Sequence, residues 1–193
     1  MKFIYPEGAT PLMPDDIHNL LPSHILTQSQ LNAWEQLNIL QAEAWAFSRK
    51  HKSLLTLPFI QKLHHKMFEE TWKWAGKFRR YQTNIGCEWI HIPIELRTLC
   101  EDVAYQLENS SFPVDEAAAR FHHRLVLIHP FPNGNGRCSR LMTDLLLAAQ
   151  GCSRFSWGRE SLSQETTARK EYINALRKAD EGDISPLLHF VRR

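Results

Sequence analysis

Twelve consecutive residues, His129-Pro130-Phe131-Pro132-Asn133-Gly134-Asn135-Gly136-Arg137-Cys138-Ser139-Arg140, hold a candidate base, a glycine-rich turn and two arginines. Histidine is the side chain whose ordinary pKa leaves both protonation forms populated near neutral pH, so His129 reads as an acceptor for a hydroxyl proton. Gly134 and Gly136 admit positive φ and let another group approach the backbone closely. A Gly-Asn-Gly run that enters a helix leaves several N–H groups unpaired at the positive end of the helix dipole, a setting that suits phosphate. Arg137 and Arg140 are three residues apart and share a face of that helix's first turns. Their guanidinium forks match phosphate oxygens two at a time. Two cations in a first turn oppose the dipole, and an anionic ligand would offset that cost. The competing reading is a structural loop in which Arg140 only pairs with Asp144 one turn on.

The flanking segments explain how such a loop is positioned. Phe121, Leu125 and Ile128 recur at helical spacing before it, and Leu141, Leu145 and Ala148 after it. Pro130 lacks a backbone donor and moves His129 out of helical dihedrals, so the first helix ends there. Phe131 is expected to bury its ring and fix the loop. The rest of the chain reads mostly as helix. Thr27 or Ser29 caps a segment that runs to about residue 50, and Leu57-Pro58 opens one that runs to about residue 71. Further helices are expected over 94–107, 115–128, 134–150, 163–180 and 186–191. Met1 to Ser23 reads as an extended arm lying on the body, strand-like at Phe3-Ile4-Tyr5. Residues 81–92 change period: Thr83, Ile85, Cys87 and Trp89 alternate around Gly86, which predicts a short β-hairpin resting on the helices.

Bulk properties narrow the class. The 193 residues fit one domain with an extension, and 43% hydrophobic content supports a core. A net charge of +2 gives no basis for a nucleic-acid binder. No apolar run reaches the roughly eighteen residues of a membrane span, and the first sixteen residues lack an apolar signal core. Cys87, Cys100, Cys138 and Cys152 show no Cys-x-x-Cys pairing, which suggests free thiols in a reducing cytoplasm. The adjacent pairs His64-His65 and His122-His123 point to different sides of a helix, so no zinc site is expected.

The twelve-residue stretch resembles the Fic family signature, His-Pro-Phe-x-(Asp/Glu)-Gly-Asn-Gly-Arg-x-x-Arg, and departs from it only at Asn133. Upstream, Leu63-His64 and Trp74-Ala75-Gly76-Lys77-Phe78-Arg79 resemble the family's Leu-His and Trp-Ala-Gly-Lys-x-Arg segment. The N-terminal extension and the Gly-Asp-Ile-Ser-Pro-Leu-Leu stretch near the C-terminus resemble the mobile mystery protein B branch. The resemblance implies an all-α, Fic-type helical bundle with a small β-hairpin flap. It divides the chain into an arm and helical extension, 1–53, and a catalytic domain with C-terminal helices, 54–193. It also implies transfer of AMP from ATP to a Ser, Thr or Tyr hydroxyl of a target protein.

In that scheme His129 takes the hydroxyl proton. The amides of Gly134 to Gly136, with Asn135, cradle phosphates that Arg137 and Arg140 contact. Ile85, Gly86, Trp89 and Ile90 of the flap receive the target segment by strand addition. Asn133 stands where the family acid binds Mg²⁺. It offers oxygen without charge, so weaker Mg²⁺ binding, largely through ATP, is expected. Many relatives are held inactive by a (Ser/Thr)-x-x-x-Glu-(Gly/Asn) helix. Here Glu7-Gly8, Glu108-Asn109 and Glu181-Gly182 have Phe3, Ala104 and Arg177 four residues earlier, none a hydroxyl. A separate antitoxin-like inhibitor protein is therefore expected, with Glu181 and Glu35 as candidates for a non-standard internal lock. Two alternatives remain: a Doc-like kinase, which would carry lysine at 137 and no arginine at 140, and a catalytically silent module that binds a partner through the flap.

Overall fold

The computed structural model describes residues 10–51, 53–159, 162 and 166–193. Its described residues form eight α-helices: α1 Pro14–Ile17, α2 Gln28–Phe47, α3 Leu57–Phe68, α4 Ile92–Glu108, α5 Val114–Ile128, α6 Asn135–Ala149, α7 Thr167–Asp180 and α8 Ser185–Arg192. The chain is all-α, and the one β-type pairing among the described residues is a single bridge between Leu20 and Trp72. Helix ends follow local chemistry. Thr27 caps α2 in a reciprocal box with Gln30, which satisfies two amides that the helix leaves open. Thr56 caps α3, with Pro58 in its first turn. Asp115 and Glu116 place negative charge at the positive end of α5.

The pair α5–α6 forms the centre and carries the loop of interest at one end. α4 packs on α5, α3 on α6 and α4, and α2 on α3, while the α7–α8 pair meets α5 through α8. Leu63, Met67, Phe68, Phe121, Leu125, Ile128, Met142 and Leu147 are buried where these helices meet. The described part of the arm, residues 10–23, lies on the body and contains α1, a turn of helix that its proline content masked. It is bound along the Trp72–Trp74 segment: Leu21 N donates to Thr71 O at 2.8 Å, Lys73 N to Asn19 O at 3.0 Å, and Trp74 Nε1 to Asp16 O at 3.3 Å. The Tyr81 hydroxyl also bonds Asp16. Phe3-Ile4-Tyr5 lies outside the described residues. All four cysteines are unbridged.

The expected hairpin is absent. Residues 81–88 form a bent loop, followed by a 3₁₀ turn at Trp89–His91 that leads into α4. The cause is competition for the backbone. The buried Arg79 guanidinium takes the carbonyls of Tyr81 and Cys87, Thr83 Oγ1 bonds Ile85 O, and Gln82 Nε2 reaches Gly86 O at 3.3 Å. Carbonyls that a strand ladder would use are held by side chains instead. The segment presents no preformed ladder edge of the kind that strand addition needs.

Candidate active site

The loop between α5 and α6 is fixed from inside. Asn135 spends its side chain on Phe131, accepting from its N–H at 2.9 Å and donating to its carbonyl at 2.8 Å. Phe131 is buried and stacks on His64 with ring centroids 3.7 Å apart. His64 Nδ1 accepts from Gly76 N at 2.9 Å, which leaves Nε2 as the N–H that meets Asn133 O at 3.0 Å. Burial lowers the His64 pKa to about 3, so it is a neutral spacer. Gly134 begins α6 at φ +77°, and a Cβ there would lie 2.6 Å from the Phe68 ring. Glycine is thus required at 134 by both dihedral and space. At Gly136 a Cβ would meet only Arg140, at 3.6 Å. Nothing among the described residues demands glycine there, and its open face turns into the cleft.

His129 leaves helical dihedrals as the proline dictates. It enters the left-handed region, φ +53° and ψ +60°, rather than the extended one. Arg79 secures that turn: its backbone N–H donates to Pro130 O at 2.9 Å, and its guanidinium donates to His129 O at 2.7 Å. His129 is 7% exposed. Nδ1 lies 3.3 Å from the Val126 carbonyl, a group that only accepts, so Nδ1 carries the proton and Nε2 holds a lone pair. Nε2 faces the Thr10 hydroxyl at 2.8 Å. Burial, helped by the Arg79 charge and opposed by the Val126 bond, lowers the His129 pKa to about 4. The ring is therefore unprotonated at neutral pH and can accept a proton. Gly86, at φ +119°, packs against this corner. A Cβ there would come 2.5 Å from the Arg79 guanidinium and 2.9 Å from His129 Cβ.

On the other wall, Arg140 lies 5.9 Å over the Tyr172 ring, and the Tyr172 hydroxyl in turn meets His122 Nε2 at 2.8 Å. The pairing of Arg140 with Asp144 that the competing structural-loop reading needs is not made. Asp144 instead accepts from Arg154, Trp157 Nε1 and Phe155 N. Arg137 lies over Phe68 and makes an ion pair of 2.5 Å with Glu35, whose other oxygen accepts from Trp72 Nε1 at 2.6 Å. Asn133 Oδ1 accepts from Gly134 N at 2.7 Å and from Arg137 at 3.3 Å, while Nδ2 donates to Thr10 O at 3.0 Å. Both oxygen lone pairs are taken, so Asn133 as placed does not fit a magnesium ligand.

One cleft of about 470 Å³ collects these groups: His129, Asn133 to Arg137, Arg140, Ile85, Thr10 and Glu35 all line it. Arg137, Arg140, Arg169 and Arg177 give it a cationic lining that suits a polyanion. Trp89 and Ile90 do not line it. They stand at the surface, 43% and 56% exposed. Sequence reasoning missed Thr10, Arg79 and Tyr172 as members of this site. Only Arg79 left a signal, as the end of the quoted Trp-Ala-Gly-Lys-Phe-Arg segment.

Fold and cleft define a helical protein in which a neutral imidazole shares a cleft with a glycine turn and several arginines. Residues 54–147 match the Fic/DOC family, and the chain carries a Fic/DOC family domain. A 145-residue stretch is 34% identical to the protein adenylyltransferase Fic of Drosophila mojavensis, covering 72% of this chain and 27% of that protein. The chain thus spans about a quarter of the length of the curated relatives it matches. In fold it is similar to the N-terminal Fic domain of a VirB-translocated Bep effector from Bartonella quintana, with TM-score 0.71, 16% identity, and coverage of 88% of this chain and 84% of that one. It is likewise similar to BepC of Bartonella tribocorum with bound AMPPNP, with TM-score 0.69, 19% identity and coverage of 97% and 93%.

Proposed function

We propose that this chain is a protein adenylyltransferase that moves AMP from ATP to a Ser, Thr or Tyr hydroxyl of a target protein. The observation that carries this reading is the His129 corner, where an unprotonated Nε2 faces a hydroxyl inside a cleft lined by arginines. The acceptor proton passes to Nε2 as the acceptor oxygen bonds the α-phosphorus. The bond from the α-phosphorus to the bridging oxygen of the β-phosphate breaks, and pyrophosphate leaves. The amides of Gly134 to Gly136 and the guanidinium groups of Arg137 and Arg140 hold the phosphates. Asn135 acts through the backbone it holds, since its side chain is committed to Phe131. Positioning and charge stabilisation supply most of the acceleration in such a site. ATP as donor is supported by the relatives named adenylyltransferase and by the AMPPNP-bound neighbour. In this reading Mg²⁺ would come with ATP rather than through a ligand from Asn133, and would draw off negative charge from the phosphates.

Residues 54–193 form the catalytic part of the proposal and 1–53 the extension, within the mobile mystery protein B branch. Ile85 and Gly86 border the acceptor, and the exposed Trp89 and Ile90 meet the target protein. An inhibitor protein supplied from outside belongs to the same proposal. Glu181 bonds Lys178 at 2.8 Å at the end of α7, Glu108 lies exposed at the end of α4, and Glu7-Gly8 is outside the described residues. Among the described residues, Glu35 is the one of these acids found on a signature arginine. The test is incubation with cell lysate and ATP labelled at either the α or the γ phosphate. Protein labelling from α-labelled ATP is expected, and His129→Ala should reduce it about 10²- to 10⁴-fold. Transfer of the γ label instead would replace this reading with the kinase, and absence of both would leave the silent module.

A further inference from the structure

The hydroxyl on His129 Nε2 belongs to this chain. We propose that Thr10 is an acceptor of the reaction, so that the protein adenylylates its own N-terminal arm in cis; this rests on the function proposed above. Thr10 is 6% exposed, and both its polar ends are held at the site. Its hydroxyl lies 2.8 Å from Nε2, and its carbonyl accepts from Asn133 Nδ2 at 3.0 Å. The direction of the first bond is fixed by elimination. Nδ1 is the N–H because it faces a carbonyl, so the hydroxyl must donate to Nε2, the arrangement that proton removal requires.

The second bond depends on the position where this chain departs from the family signature. Asn133 Oδ1 faces two donors, which fixes Nδ2 toward Thr10. An aspartate or glutamate at 133 has no N–H to offer and would set a carboxylate against the Thr10 carbonyl. The arm is held from behind as well, through Asp16, Asn19 and Leu21. Thr10 lines the same cleft as Gly134, Gly136, Arg137 and Arg140, so its oxygen shares one space with the phosphate cradle. The step balances without a further reactant. Thr10 Oγ1 bonds the α-phosphorus of ATP, its proton moves to His129 Nε2, the bond to the β-phosphate oxygen breaks, and pyrophosphate departs.

The experiment uses the full chain with Mg-ATP, followed by intact-mass measurement and peptide mapping. One adenylyl adduct per chain, located at Thr10, is expected, formed at a rate that does not change on dilution of the protein. Thr10→Ser should keep the adduct, and Thr10→Val and His129→Ala should lose it. A chain that transfers α-label to lysate proteins but leaves Thr10 unmodified would overturn self-acceptance while the transferase reading stands. An adduct that persists in Thr10→Val, or one whose rate climbs with protein concentration, would also overturn it. No α-label on any protein would remove both proposals together.

Discussion

The loop after α5 and the loop after Arg79 border the same cleft, yet they hold their shapes in different ways. The loop at 129–134 is shaped by its own residues and by the start of α6: Pro130 ends a helix, Asn135 ties Phe131, and Gly134 starts the next helix at positive φ. The loop at 81–88 takes its shape from a guanidinium that belongs to the preceding segment, together with short-range bonds from Gln82 and Thr83. A shape written mostly in local residues keeps its internal ties when a support from outside, such as Arg79 or His64, is lost. A shape lent by one buried cation disappears with that cation.

The sharpest way to break this contrast is Arg79→Met. It leaves the buried carbonyl of His129 and the half-buried carbonyls of Tyr81 and Cys87 without this donor, and an unpaired buried acceptor costs about 1–3 kcal/mol. Urea unfolding should show a loss of about 2–4 kcal/mol. The residual folded protein should have lost order at 81–88 while Asn135 still holds Phe131. The two glycines of the α5–α6 loop should behave unlike each other. Gly134→Ala drives a Cβ into Phe68 and should destabilise by about 1–3 kcal/mol. Gly136→Ala meets no such obstacle and sits in a helix, so its melting temperature should hold or rise, by the equivalent of up to about 1 kcal/mol. Calorimetric titration with ATP should nevertheless show weaker binding for Gly136→Ala, because the added methyl occupies the open face that phosphate would approach.

Acid should expose the buried imidazoles that hold this corner together. The pKa values of His64 and His122 are lowered to about 3, and that of His129 to about 4, all by burial. An unfolded chain takes up these protons near the ordinary 6.5 while the folded one refuses them. Stability is therefore intact above about pH 6.5 and declines as pH falls toward 4, by up to about 1.4 kcal/mol per unit for each ring. Urea midpoints measured across this window should track that slope, and His122→Gln should flatten it. Glu35→Gln keeps an oxygen for Trp72 while withdrawing charge from Arg137. Nucleotide affinity should then rise by about 1 kcal/mol, read by the same titration. The smallest structural effect is expected at the second loop's outer turn. Trp89→Ala should change stability by no more than about 0.5 kcal/mol, yet lower labelling of a protein target and leave self-labelling intact.

What could be read from residue order alone follows the same division. Thr27, Pro58 and Pro130 act on their neighbours, so the ends of α2, α3 and α5 fell within a few residues of expectation. His129 and the glycine turn were legible for that reason. The alternation at 83–89 was also real, but its backbone partner is Arg79, and an arginine ordinarily reads as a surface residue. Nothing in Thr10 distinguishes it from other threonines in a proline-containing arm. Its place follows from bonds that α1 and the Trp72–Trp74 segment make across some sixty positions. Glu35 was visible as an acid on a helix, and its meeting with Arg137 depends on how α2 crosses the bundle.

His64 contributes a constraint of another kind. Its ring is wedged between Gly76 and the Asn133 carbonyl and lies flat on Phe131, joining stretches sixty-nine residues apart. A peptide containing only α5, α6 and the turn between them would have the entire twelve-residue signature and still lack this brace. Grafting the signature onto another helical pair would therefore transplant the loop's own ties without this brace, unless His64 and Gly76 travelled with it.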